Sequence, residues 1–151
     1  MSIETLELER ELHRVLCRYA RGCDERDWEV MTEVFAENAT ANYGGEFELQ
    51  GRPALVSMMR AHLDGCGPSQ HLLGDLVVDV TGDVVTSRVY IRAAHRGAGD
   101  KAHLTYETFA EYQDRWVRTT AGWRIGHRVM KVNYEVGTRT VLGPGPAASQ
   151  G

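Results

Sequence analysis

The strongest constraint on this fold is a change in hydrophobic period near residue 70. Before that point, apolar residues recur at helical spacing; after it, apolar runs are strand-like and are separated by only a few residues. Strands joined by such short turns are expected to be antiparallel neighbours, because a parallel connection needs a dozen or more residues. The pattern therefore predicts four long strands, at 72–80, 84–94, 104–117 and 123–135.

The part of the chain before the change predicts three helices and one hairpin. The first helix spans residues 3–22 and ends at Gly22, the second spans 27–34, and the third has Pro53 in its first turn. Residues 38–49 alternate around two glycines and predict a small hairpin or two edge strands. Helices followed by a meander indicate an α+β protein. We expect three N-terminal helices packed on a strongly curved, mostly antiparallel sheet, a cone-like α+β barrel with a pocket at its open end.

Length and composition limit the classes of function. The 151 residues suit one domain, which we place at 1–142, followed by a flexible tail at 143–151 that is rich in Gly and Pro. The net charge of -4 argues against a nucleic-acid partner, and no apolar run approaches the ~20 residues of a membrane span. Three cysteines without CxxC spacing and an acidic N-terminus predict a cytoplasmic protein.

One histidine and one aspartate are the leading candidates for catalysis. His71 follows a Gly-Pro break at the start of the first long strand, and Asp24 lies just beyond the predicted end of the first helix. A neutral imidazole can accept a proton near pH 7, and a carboxylate on its other ring nitrogen would fix the tautomer. The alternative is a buried histidine bonded to a backbone carbonyl, with Asp24 as a turn residue.

Two further polar residues could face the same pocket. His95 ends the second long strand and could be a second acid or base, or only a polar residue before a loop. Tyr43 could donate a hydrogen bond to a carbonyl or enolate oxygen, or be a half-buried strand tyrosine. Two histidines and Asp24 could also hold iron, but their spacing is not that of a local metal motif. We therefore expect no metal and no other cofactor.

Three local patterns carry a resemblance to a known family. They are a helix end followed by Asp-x-x-Asp-Trp at 19–28, a degenerate Leu-x-x-x-Phe-Ala-x-x-Ala-Thr at 30–40, and Gly-Trp-Arg-Ile at 122–125. With them, residues from about 6 to 136 resemble the nuclear transport factor 2-like superfamily, and within it the SnoaL-like branch. The site is similar to those of scytalone dehydratase and hexachlorocyclohexane dehydrochlorinase, although Cys23 stands where the dehydratase has a tyrosine.

The resemblance implies roles for particular residues. His71 would be the base, Asp24 its partner, His95 the second histidine, and Tyr43 the donor to a substrate oxygen. The residues expected to contact a small apolar ligand are Tyr19, Cys23, Trp28, Met58, Leu73 and Phe109.

The expected function is a cofactor-independent lyase or isomerase, dehydratase-like, that uses His/Asp general base catalysis on a small apolar cyclic or polyketide-like substrate. Two alternatives stay open: a polyketide-type cyclase, and a non-catalytic small-molecule binding or scaffolding protein. A broad sheet rich in Tyr, Phe and Trp needs covering, so we also expect a homodimer through the sheet face.

Overall fold

The computed structural model describes residues 1–146; residues 147–151, most of the predicted flexible tail, lie outside the described residues. Two α-helices and six strands make up the regular structure. They are α1 Ile3–Glu25, β1 Phe35–Asn42, β2 Leu49–Gln50, α2 Arg52–Leu63, β3 Ser69–Thr81, β4 Val84–Arg96, β5 Thr105–Thr119 and β6 Gly122–Gly137. The predicted α+β class is confirmed. Neither helix within 1–146 is long and apolar enough to cross a membrane.

All six strands form one sheet in the order β2-β1-β6-β5-β4-β3. The four long strands pair as the predicted antiparallel meander, and β1 pairs with β2 as the predicted hairpin. One pairing differs from the rest: β1 lies parallel to β6, with Phe35 opposite Ile125. Local sequence could not indicate this pairing, because its two strands lie at opposite ends of the chain.

The expectation of three N-terminal helices is wrong at residues 27–34. That segment forms only a short 3-10 helix, Glu29–Glu33, which begins after Trp28 without a side-chain cap. Close packing constrains this segment. The chain folds back against α1 so closely that a Cβ at Gly22 would collide with the side chain of Val30. Gly22 is therefore an interior helix position that permits this contact, and it is not the end of the helix.

Helix α1 continues for three residues past its predicted end. It closes at Arg26, which adopts the left-handed conformation with φ 57° and donates its backbone N–H to the carbonyl of Cys23. Asp24 consequently lies in the last helical turn. A helical backbone fixes the direction of its carboxylate toward the start of β3.

The core lies between α1 and one face of the sheet. Leu12, Val15 and Leu16 of α1 are buried, and alternate residues of the long strands point toward them. A register shift between Gly74 and Val77 interrupts β3, where Asp75 has φ 54°. Such bulges bend a strand and increase its twist.

Candidate active site

A cavity of about 350 Å³ lies between the inner face of the sheet, the two helices and the segment after β1. That volume is in the range of small-molecule sites. Most of its wall is apolar, and its polar groups are histidines, tyrosine hydroxyls, the hydroxyl of Thr108 and a Glu–Arg pair. The lining residues include Tyr19, Tyr43, Met58, His71, His95, Tyr106, Tyr112, Glu135 and Arg139.

The structure brings Asp24 and His71 together at the wall of this cavity. Oδ1 of Asp24 is 2.6 Å from Nδ1 of His71, and both carboxylate oxygens lie 3.0 Å from the backbone nitrogen of the same residue. An ionised carboxylate can only accept, so Nδ1 of His71 carries a proton and Nε2 is left as an acceptor. The His71 side chain is 5% exposed and that of Asp24 is 21% exposed.

His95 lies beside His71, with 5.5 Å between the ring centroids. Its Nδ1 is 2.7 Å from Oγ of Ser69, and its ring stacks on Tyr106. Burial, followed by the neighbouring charges of His71 and Arg26, lowers the pKa of His95 to about 4. The imidazole is therefore neutral at pH 7.

The Nε2 atoms of both histidines are open to the cavity. Neither atom has a hydrogen-bond partner in the protein, whereas every buried side-chain nitrogen and oxygen of residues 1–146 has one. Two ring nitrogens therefore remain available to a ligand at adjacent points of one wall.

Three tyrosine hydroxyls form a cluster at the cavity wall, where the Tyr19 ring lies edge-on to His71 with 6.3 Å between the ring centroids. The hydroxyl of Tyr19 lies 3.2 Å from the hydroxyls of both Tyr43 and Tyr112. Beneath them the guanidinium of Arg128 packs on the Tyr112 ring, 3.8 Å from its centroid, and Nη1 donates to the Tyr43 hydroxyl at 3.5 Å. Arg128 in turn forms two hydrogen bonds with Asp114, at 2.7 and 2.8 Å, and neither side chain is exposed.

Burial controls how these groups ionise. It raises the pKa of Tyr43, although the charge of Arg128 opposes the shift, and it also raises the pKa values of Tyr19 and Tyr112. Burial acts to lower the pKa of Arg128, but the charge of Asp114, its hydrogen bonds and the neighbouring tyrosines together outweigh burial and raise the pKa. The tyrosines therefore keep their protons at neutral pH and can serve as hydrogen-bond donors.

Four of the residues expected to contact a ligand lie outside the cavity wall. Cys23 is fully buried in α1, where burial raises the pKa of its thiol to about 12. Trp28 packs on the core and donates its indole N–H to Asp64. Leu73 packs against the core as well. Phe109 lies on the opposite face of the sheet, stacked on Tyr134, because its inward neighbours on β5 are at even-numbered positions.

Sequence reasoning missed the buried Asp114–Arg128 pair and the contact between Ser69 and His95. A signal for the pair was present. In β5 the inward positions run through Tyr112, Asp114 and Trp116, so the strand alternation places a carboxylate on the same face as two large aromatic residues. A buried carboxylate needs a partner, and Arg128 is the inward-facing cation of the neighbouring strand.

The two histidines and Asp24 do not form a metal site. No group of three or more His, Cys, Asp or Glu residues within 1–146 has a metal-binding arrangement. The carboxylate of Asp24 is already used by the ring and backbone N–H groups of His71.

Comparison with known proteins agrees with this architecture. The sequence profile of the SnoaL-like domain matches residues 4–129. An uncharacterized protein of Mycobacterium tuberculosis, Rv2910c, is 29% identical over 130 residues, which cover 85% of this chain and 88% of that protein.

Two of the solved structures that share this fold match nearly the whole chain. One is a scytalone dehydratase-like protein of Novosphingobium aromaticivorans, with a TM-score of 0.81 and 17% identity; the match covers 99% of this chain and 100% of that one. The other is a type 2 hexachlorocyclohexane dehydrochlorinase (LinA), with a TM-score of 0.77, 14% identity and 98% coverage of both chains. At these identities the likeness concerns the fold alone.

Proposed function

The chain belongs to the SnoaL-like domain family of the nuclear transport factor 2-like superfamily, and from this premise we propose that it is a cofactor-independent lyase or isomerase. In this proposal the His71–Asp24 pair removes a proton from carbon in a small, mostly apolar cyclic or polyketide-like substrate. The observation that carries the proposal is the 2.6 Å contact between Oδ1 of Asp24 and Nδ1 of His71 at the wall of a ligand-sized cavity.

The pair suits general base catalysis. Asp24 holds the proton on Nδ1 of His71, so the lone pair of Nε2 faces the cavity. When Nε2 accepts a proton, the ring becomes a cation, and the adjacent carboxylate stabilises that charge. Because the His71 side chain is almost fully buried, the stabilisation is stronger than it would be in water.

A proton on carbon leaves readily only when the electrons left behind can move onto oxygen. The hydroxyl of Tyr43 lines the cavity near those of Tyr19 and Tyr112, above the charge of Arg128. A carbonyl oxygen at this end of the cavity would become an enolate oxygen as the proton leaves. Fixed donors aimed at such an oxygen stabilise the transition state more than the ground state.

The protons balance with one base. In elimination, Nε2 of His71 takes the proton from carbon, the C–H electrons form the double bond, and the C–O bond breaks. The imidazolium then delivers the same proton to the departing hydroxide, which leaves as water and regenerates the neutral ring. In isomerisation the imidazolium returns the proton to a different carbon. Neither route needs an oxidant or a second substrate.

The experiment uses proton exchange, because it does not require the natural substrate. α-Tetralone and cyclohexanone are incubated with the protein in D₂O, and exchange at the α-carbon is followed by NMR. We expect exchange above the buffer rate, with losses of ~10²- to 10⁴-fold in His71→Ala and Asp24→Asn. His103→Ala serves as the matched control, since His103 is exposed and outside the cavity.

Two results would overturn the proposal. One is equal exchange in the wild type, His71→Ala and Asp24→Asn, with circular dichroism showing all three folded. The other is binding of the ketones without exchange, which would favour the non-catalytic binding alternative.

A further inference from the structure

A chain of hydrogen bonds behind the cavity links Arg26, Ser69 and His95. Nη2 of Arg26 donates to Oγ of Ser69 at 2.9 Å, and that oxygen lies 2.7 Å from Nδ1 of His95. Neither Arg26 nor Ser69 lines the cavity, whereas His95 does. Any effect of the first two residues on a ligand therefore acts through the third.

The hydrogens of Arg26 are fully used. Its Nε and Nη1 donate to backbone carbonyls at the ends of both helices, and Nη2 divides its two hydrogens between the carbonyl of Gly67 and Oγ of Ser69. A guanidinium has five N–H donors and no acceptor. The direction of the bond to Ser69 is therefore fixed: the serine oxygen accepts.

The remaining bond of Ser69 follows from this. Its hydroxyl hydrogen has one other polar neighbour, Nδ1 of His95. If that nitrogen carried a proton, the serine oxygen would accept twice, and its own hydrogen would lack a partner in a partly buried position, which is unfavourable. Donation from the hydroxyl to Nδ1 satisfies every group. The neutral ring of His95 then carries its proton on Nε2.

We propose that Arg26 and Ser69 are positioning residues that hold His95 as the Nε2–H tautomer, so that it presents a hydrogen-bond donor to the ligand beside the acceptor of His71. His95 is thereby a hydrogen-bond donor and His71 an acceptor, although the two rings lie on neighbouring strands with only 5.5 Å between their centroids. A ligand that satisfies both carries an acceptor oxygen close to an acidic C–H, as a ketone or a β-hydroxy ketone does.

The surroundings of His95 agree with a neutral ring. The charged groups that face it are Arg26, Asp24 and, when protonated, His71; Tyr106 stacks on its face. Burial and the two cations favour the neutral form, and Asp24 alone opposes them. A neutral ring has one proton, and Ser69 determines which nitrogen carries it.

The test is the tautomer itself, read at pH 8 from long-range ¹H–¹⁵N spectra of ¹⁵N-labelled wild type and of Ser69→Thr and Ser69→Asp. We expect the Nε2–H form of His95 in the wild type and in Ser69→Thr, which keeps the hydroxyl. A carboxylate can only accept, so Ser69→Asp should move the proton to Nδ1. His95→Gln assigns the resonances, and Ser87→Ala, which removes a serine hydroxyl from a buried site bonded to Trp116, is the matched control.

The wild-type spectrum is decisive. A proton on Nδ1 of His95 in the wild type would overturn the inference. An unchanged tautomer in folded Ser69→Asp would overturn the part assigned to Ser69. Should Ser69→Asp not fold, Ser69→Ala replaces it, and an unmoved Nδ1 resonance there would contradict the proposed hydrogen bond.

A second measurement applies if the chain catalyses ketone exchange, and this part alone rests on the proposed function. At saturating α-tetralone we expect Ser69→Asp to lower the exchange rate by ~10²-fold and Ser69→Thr to retain it. If the wild type shows no exchange but His95 is the Nε2–H tautomer, the proposed function fails while the positioning of His95 stands. Equal exchange in Ser69→Asp with an inverted tautomer would show that the donor is not used and would overturn its assigned role.

Discussion

Asp114 and Arg128 form a fully buried ion pair on neighbouring strands, directly beneath the hydroxyl cluster that lines the cavity. The pair supports the candidate site from behind. Its guanidinium contacts the rings of Tyr19 and Tyr112, so the positions of these side chains depend on a charge that is itself held by a carboxylate.

The first prediction concerns the stability that depends on this pair. Asp114→Asn leaves Arg128 buried without its counter-charge, and we expect a loss of about 3–5 kcal/mol in the free energy of unfolding, measured in urea. Glu107→Gln is the matched control. Glu107 lies on β5, like Asp114, but it is on the opposite face of the sheet and pairs there with Arg92 of β4. That variant should cost no more than about 1 kcal/mol. If the two variants lost the same free energy of unfolding, burial of the Asp114–Arg128 pair would not be the cause of its effect on stability.

The second prediction concerns the donor to a substrate oxygen. Tyr43→Phe removes the cavity hydroxyl that accepts from Arg128, and we expect the α-proton exchange rate of α-tetralone to fall by ~10²-fold. Tyr90→Phe is the control, since Tyr90 is more than half exposed on the outer face of the sheet. The idea fails if both variants exchange the ketone as fast as the wild type.

The third prediction concerns pH. The pKa of His95 is about 4 in the folded protein, against an ordinary value of 6.5, because burial, the nearby His71 and Arg26 disfavour its cation. The unfolded chain therefore binds more protons between these two values, and stability falls as the pH drops through this window. The full difference between the two pKa values corresponds to about 3 kcal/mol in the free energy of unfolding. Well above pH 6.5 the ring of His95 is neutral in both the folded and the unfolded chain, and this loss of stability is absent.

Urea unfolding of wild type and His95→Gln at pH 7.5, 6, 5 and 4.5 checks this. We expect the stability of the wild type relative to the variant to decline steadily across the series. Parallel pH curves for the two proteins would refute the assignment to His95.

The fourth prediction concerns the outer face of the sheet, where we propose that two copies of the chain meet. Leu72, Tyr90 and Tyr134 are each more than half exposed there, around the stacked ring of Phe109. The same face carries the Arg92–Glu107 pair, so a two-fold arrangement can set cations of one copy against carboxylates of the other. A second copy is thus a complementary cover for this surface.

Sedimentation equilibrium at micromolar concentration measures the assembly. The wild type should sediment as a dimer and Tyr90→Glu as a monomer. Leu6→Glu, which changes an exposed apolar residue on α1, should stay dimeric. A monomeric wild type at every concentration tested would end this proposal.

The sequence predicted most of the fold because its determinants are local. Short turns at 81–83 and 119–122 require antiparallel neighbours, and the strand alternation sets their faces. The end of α1 was misplaced, because Gly22 is needed for a close contact with Val30 that only the folded chain contains. The parallel pairing of β1 with β6 is a long-range event and leaves no local trace.

The candidate site divides in the same way. Asp24 and His71 were named through a family resemblance, and the structure brings them together. Phe109 was misassigned to the cavity because alternation along β5 gives two faces but does not say which one is inside. The bond from Arg26 to Ser69 could not be predicted from the sequence. Arg26 is positioned by backbone carbonyls, and these are present at every residue, so no side-chain pattern marks them.

The parallel contact between β1 and β6 also governs when the cavity can exist. Tyr43 follows directly after β1, and β1 is held in the sheet along one edge by the final strand, beginning where the N–H of Ile125 donates to the carbonyl of Val34. In a ribosome-bound chain that has not yet released β6, β1 therefore has no neighbouring strand on that edge, and Tyr43 cannot take its place in the cavity wall. The protein should therefore bind its ligand only after β6 has been synthesised and has paired with β1.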